Sequence, residues 1–168
     1  MSRSRPPKRW TGLTLSEATV TDVWGFVEAT RDADGATVLF IGPPGTGKTM
    51  AAELVGRELS LDLFRVDLSR VVSKYVGETE KNLAKVFNRA EHKDLILFFD
   101  EADALFAKRT EVKDSHDRYG NLETNYLMKR IEEYSGLVII AVNRREVIDE
   151  EVEQRFDYTI PFPARRTK

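Results

Sequence analysis

The chain has 168 residues, enough for one full domain and short for two. A formal net charge of −2 argues against a protein that coats nucleic acid, and the absence of cysteine excludes disulfides and thiolate metal sites. Hydrophobic residues make up 41%, which supports a packed core, yet no apolar stretch approaches the ~20 residues of a membrane helix.

Residues 1–9 carry Arg3, Arg5, Lys8 and Arg9 around Pro6 and Pro7. This segment reads as a basic flexible tail, and a short arm contacting phosphate or an acidic partner is the competing reading. It lacks the apolar segment of a signal peptide, so a cytoplasmic location is expected. Trp10 to Leu15 is mixed and suits an anchor for the tail. Ser16 is placed as a helix N-cap with Glu17 in the first turn, and Val20, Val23, Trp24 and Val27 give one helical face. The turn from Asp32 to Gly35 launches an apolar strand, Ala36 to Ile41.

Gly42, Pro43, Pro44, Gly45, Thr46, Gly47, Lys48 and Thr49 follow that strand and fit G-x-x-x-x-G-K-[ST], the phosphate-binding P-loop. A helix from Met50 to Leu59 comes next, with Met50 closing the set of candidate binding residues. A triphosphate needs donors that converge without side chains in the way. The glycines let the backbone wrap closely, and the free N–H groups of the loop and helix start point at the phosphates. Lys48 supplies a positive charge for the β- and γ-phosphates, and the Thr49 hydroxyl can enter a Mg²⁺ shell that keeps several waters. The bland alternative is a Gly/Pro-rich turn beside an exposed lysine.

Leu61 to Leu68 alternates apolar and polar and predicts a second strand. Ser69 to Glu78 predicts a short helical turn running into a loop. From Thr79 the spacing of Leu83, Val86, Phe87 and Ala90 is helical. Leu95 to Phe99 is apolar throughout, as expected of a strand covered on both faces. Lys108 to Gly120 is charged and predicts an exposed loop, and Leu122, Leu127, Ile131 and Tyr134 mark a helix. Leu137 to Val142 predicts another buried strand, Ile148 to Val152 a short helix, and Tyr158 to Ile160 a last strand stopped by Pro161 and Pro163. Five strands alternating with helices imply an α/β domain with a mainly parallel sheet, whose ligands bind beyond the carboxyl ends of the strands. Gly42, Asp100 and Asn143 each sit just past such an end.

An apolar strand ending in Asp100-Glu101 is the partner a P-loop requires. Asp100 can accept from waters on Mg²⁺, and Glu101 can orient and partly deprotonate a water facing the γ-phosphate. A helix N-cap or solvated strand end is the plainer alternative. The Asn143 amide can bind both the γ-phosphate and that water, or cap a turn. Arg155 is either a surface ion-pair partner or a group that projects into a neighbouring subunit's nucleotide. His92 and His116 are the only histidines and stand far apart, which argues against a metal site of their own.

Together these residues resemble the AAA+ ATPases, and within them the classical AAA clade, over roughly Trp10 to Pro163. Gly42 to Thr49 is similar to Walker A, Leu95 to Glu101 to Walker B, Asn143 to sensor 1 and Arg155 to an arginine-finger position. Ser73 to Asn82 resembles the segment of the first pore loop, which makes Tyr75, Val76 and Gly77 its pore-lining aromatic, aliphatic and glycine. Lys108 to Gly120 falls where a second pore loop would be.

The resemblance implies a P-loop NTPase three-layer sandwich with a five-stranded sheet, Mg²⁺ and ATP (or ADP) as ligands, and a homo-oligomeric hexamer that threads or remodels a protein or peptide substrate. Residues 10–163 are then the large α/β subdomain, and 164–168 a basic tail. Three departures matter: Gln154 stands beside Arg155 where a tandem arginine is usual, the segment before Walker A is short, and no helical lid follows Pro163. Weak turnover is therefore expected. A low-turnover monomeric nucleotide-binding module is the alternative, and a clamp-loader-like nucleic-acid motor fits the balanced charge less well.

Overall fold

The computed structural model describes residues 4–10, 13–91, 94–110 and 117–164, with the side chains of 108–110 and 117–121 left aside. Its centre is a five-stranded sheet of β1 (Ala36–Ile41), β2 (Asp62–Asp67), β3 (Leu95–Asp100), β4 (Leu137–Val142) and β5 (Tyr158–Pro161). The order is β2-β3-β4-β1-β5 and every pairing is parallel. The expected sheet is thus parallel throughout.

Helices cover both faces, which is why the central strands are continuously apolar. All six residues of β4 are buried. One face, with Val38, Phe40, Ile96, Phe98 and Ile139, packs on α1 (Glu17–Thr30) and α2 (Lys48–Leu59). The other, with Leu39, Leu97, Phe99, Val138 and Ile140, packs on α4 (Glu78–Ala90), α5 (Asp103–Thr110) and α6 (Asp117–Glu133). The α1 start is capped as predicted, the Ser16 hydroxyl accepting from the Thr19 N–H at 3.1 Å. Two single-turn helices, α3 (Leu68–Val71) and α7 (Glu150–Glu153), complete the set.

Several boundaries differ from expectation. Much of the segment from Lys108 to Gly120 is helix, because α5 runs to Thr110 and α6 begins at Asp117. Residues 108–110 close α5 and 117–120 open α6, while the stretch 111–116 of the expected loop lies outside the described residues. The helix placed at Ile148 to Val152 is instead a 3₁₀ turn at Arg145–Val147 followed by α7, whose N-cap is Asp149. Pro161 belongs to β5 instead of stopping it, which an edge strand permits. The basic segment read as flexible is also tied down where it is described. The Arg9 guanidinium pairs with Glu58, and the Trp10 indole donates to the same carboxylate at 3.0 Å.

Candidate functional site

Gly42 leaves β1 with its N–H on the Val142 carbonyl of β4 at 3.1 Å. A methyl group there would stand 2.1 Å from the Phe162 carbonyl oxygen, so close packing against the chain beyond β5 already demands glycine. Gly47, the N-cap of α2, has φ 97°, a left-handed conformation that side chains resist. The turn thus opens α2 with its first N–H groups facing the carboxyl edge of the sheet. The Thr46 hydroxyl closes the turn internally by donating to the Pro43 carbonyl at 2.7 Å. Thr49 and Met50, in the first turn of α2, are half-buried.

Lys48 is buried, and its ammonium donates to the carbonyls of Gly42 and Pro43. Burial holds it below the ordinary lysine value, while the charges of Asp100, Asp103 and Glu101 act in the opposite direction. Those three carboxylates come from the β3–α5 junction, so the structure brings the P-loop and the acidic strand end together as the sequence predicts.

Asp100 ends β3 and is nearly buried. Its Oδ1 accepts the Glu101 N–H at 2.9 Å. Its Oδ2 accepts both Nε (3.1 Å) and Nη2 of Arg65, a residue of β2 that the sequence reading passed over as the polar phase of an alternating strand. Glu101 has φ 56°, an uncommon conformation for a residue with a Cβ. Its Oε2 accepts from the Asn143 amide at 3.2 Å. Asp103, also not singled out, braces that partner: its carboxylate accepts the N–H groups of Asn143 (2.8 Å) and Arg144 (3.0 Å). The only sequence signal for Asp103 is its place three residues after Asp100, at the first position of α5.

Arg155 is not drawn into this cluster. It follows α7, and its Nε donates to Glu132 of α6 at 2.8 Å. Tyr75 and Val76 stand out in solvent, 65% and 73% exposed, with the Lys74 ammonium over the Tyr75 ring at 5.5 Å. Their loop is braced from behind. The Thr79 hydroxyl accepts the Ser73 N–H at 2.9 Å, and the Asn82 amide donates to the Val71 carbonyl at 2.9 Å. Gly77, at φ 82°, turns the loop into α4. His92 and His116 lie outside the described residues.

A cavity of about 700 Å³ lies before the P-loop, lined by Arg5, Pro6, Trp10, Leu13, Leu15 and Val20 among others. Leu15 connects it to the turn, its Cδ2 lying 2.5 Å from where a Cβ on Gly47 would be. The N-terminal segment thus builds a cavity of mixed lining, with Arg5, Glu17 and Thr21 among its apolar side chains, and Leu15 joins it to the phosphate loop.

These residues fit a phosphate-bound Mg²⁺. Such an ion takes hard oxygen ligands, mostly phosphate and water, and needs few from the protein. Thr49 and Asp100 offer a hydroxyl and a carboxylate of that kind. Among the described residues no three His, Cys, Asp or Glu side chains are arranged to hold a metal by themselves. Among them, too, no helix is long and apolar enough to cross a membrane.

Comparison with known proteins agrees with this geometry. The family model described as "ATPase family associated with various cellular activities (AAA)" matches residues 38–164. The uncharacterized AAA family ATPase y4kL of Sinorhizobium fredii is 34% identical over 171 residues, covering 96% of this chain and 52% of that protein. ATPase family gene 2 protein of Schizosaccharomyces pombe is 42% identical over 137 residues, covering 77% of this chain and 17% of that protein. A crystal structure of the FIGL-1 AAA domain in complex with ADP superposes with a TM-score of 0.60 at 30% identity, covering 76% of this chain and 43% of that one. The chain thus spans about half the length of y4kL and a smaller share of the other two.

Proposed function

The chain belongs to the AAA ATPase family, and from that premise we propose that it binds Mg·ATP at the β1–α2 turn and hydrolyses it to drive the Tyr75 loop against a protein substrate. The observation that carries this reading is the convergence of Lys48, Asp100, Glu101 and Asn143 from α2, β3 and β4 on one edge of the sheet. In this reading Gly42 to Met50 cradle the phosphates, and the cavity at Leu13 and Leu15 takes the base. Bound Mg²⁺ would supply charge neutralisation of the β- and γ-phosphates, with Thr49 and Asp100 holding its shell.

The chain's own residues do the rest. Lys48 turns from the loop carbonyls to the phosphates. Glu101 orients the attacking water and takes its proton. Asn143 fixes the Glu101 carboxylate through Oε2 and presents its amide to the same water. Tyr75 and Val76, both well exposed, suit the grip of an extended peptide through apolar contact, without reading its sequence. Residues 10–163 act as the ATPase unit, and a cytoplasmic setting, rich in ATP and Mg²⁺, suits the chemistry.

A second reading, a monomeric nucleotide-binding module of low turnover, is favoured by one contact. Arg155, the finger candidate for a neighbour's nucleotide, is already paired within the chain to Glu132. Turnover of Mg·ATP per chain across a wide range of protein concentration separates the two readings. A rise with concentration that vanishes in Glu101→Gln supports a site shared between subunits in a ring. Nucleotide binding with background turnover at every concentration overturns the motor in favour of the module.

A further inference from the structure

We infer that Arg65 is a positioning residue for the divalent ion of the nucleotide site, setting through Asp100 how much Mg²⁺ the site requires. This rests on the Mg·ATP reading above.

The geometry is specific. In the sheet Asp67 pairs with Asp100 and Arg65 with Phe98, so the Arg65 side chain crosses diagonally from β2 to the end of β3. Its Nε and Nη2 both fall on Oδ2, while Oδ1 is held by the Glu101 N–H. Both oxygens are engaged, so the carboxylate is fixed in rotation before any ion arrives. The two side chains differ sharply in exposure, 56% for Arg65 against 9% for Asp100. The guanidinium reaches in from solvent to a buried carboxylate. It places a permanent positive charge on the oxygen that would serve the ion's water shell, and a divalent ion there must work against that charge. A site built in this way admits Mg²⁺ with its phosphates rather than alone.

The test is equilibrium binding of a fluorescent ATP analogue titrated with Mg²⁺, from EDTA to millimolar ion, for wild type, Arg65→Ala, Arg65→Gln and Arg65→Lys. Loss of the charge should lower the Mg²⁺ midpoint on the order of fivefold in Arg65→Ala and Arg65→Gln, the size expected for a unit charge near a divalent ion in a water-like dielectric. Arg65→Lys should stay near wild type. In an Asp100→Asn background the guanidinium loses the carboxylate that holds it beside the ion, so the Arg65→Ala shift should disappear. If Arg65→Ala does not fold, Arg65→Gln, which keeps length and hydrogen-bonding capacity, carries the same measurement. Equal midpoints in wild type and Arg65→Gln, or a shift that persists in Asp100→Asn, overturn the role of Arg65 alone. Failure of the wild type to bind nucleotide with or without Mg²⁺ overturns the Mg·ATP reading and this inference with it.

Discussion

The Asn143 amide reaches the Glu101 carboxylate at 3.2 Å, joining the residues that follow β4 and β3. Glu101 holds its side of that contact from a left-handed backbone, at φ 56°. Such a conformation costs a residue with a Cβ about 1–2 kcal/mol and persists only where the surroundings impose it.

Comparison of Glu101→Gly with Glu101→Ala isolates that cost, because both remove the carboxylate. Glu101→Gly should be the more stable by about 1 kcal/mol in urea unfolding. On the proposed role of Glu101 as base, both variants should lack turnover in a Mg·ATP assay whatever their stability.

Asp103→Ala removes the acceptor for two backbone N–H groups, those of Asn143 and Arg144. Hydrogen bonds to a charged group are worth about 1.5–3 kcal/mol. We expect a loss of about 2 kcal/mol of stability in chemical unfolding. Turnover should fall while nucleotide affinity is largely kept, since it is Asn143 that loses its footing.

Gly42→Ala should destabilise the fold by about 2 kcal/mol or more, the range of overpacking in a tight interior. The added methyl meets the Phe162 carbonyl oxygen at 2.1 Å, a backbone atom that cannot swing away. Gly45, at φ 78°, has open space around the same position, so Gly45→Ala should cost only the backbone term of about 1 kcal/mol. Thermal unfolding of the pair distinguishes a packing glycine from a conformational one.

Glu132→Ala releases the Arg155 guanidinium from its pair on α6. A pair this exposed contributes under about 1 kcal/mol, so stability should barely move. If Arg155 serves a neighbour's nucleotide, concentration-dependent turnover should rise in Glu132→Ala and be lost in Arg155→Ala. Equal turnover in wild type and Glu132→Ala would show that the pair does not restrain the finger.

Glu58 holds the N-terminal segment through Arg9 and Trp10. Burial alone would raise its pKa, but the hydrogen bonds from Arg9 and Trp10 and the charges of Arg9 and Arg31 outweigh that and lower it below the ordinary glutamate value of 4.5. A carboxylate lowered on folding contributes stability that is complete above 4.5 and lost as pH falls through the folded value. Glu58→Gln should therefore be less stable than wild type at neutral pH, with the gap closing below pH 4.5. Trp10 and Trp24, stacked edge to face at 5.3 Å, give a fluorescence signal local to this contact.

The α/β class, a mainly parallel sheet and a P-loop beside an acidic strand end were legible in the sequence, because each is a local pattern. Runs such as Leu95 to Phe99 have only one economical place, inside a sheet covered on both faces. The P-loop spacing and the acidic strand end are likewise consecutive residues. Contacts between segments far apart in the chain were not legible, because folding alone brings them together. Arg65 reads as the polar phase of a strand until β2 is set beside β3 and Asp100. Gly42 reads as a phosphate glycine until Phe162 returns along β1. Asp103 and Asn143 are forty positions apart, and only the pairing of β3 with β4 brings the carboxylate to that backbone.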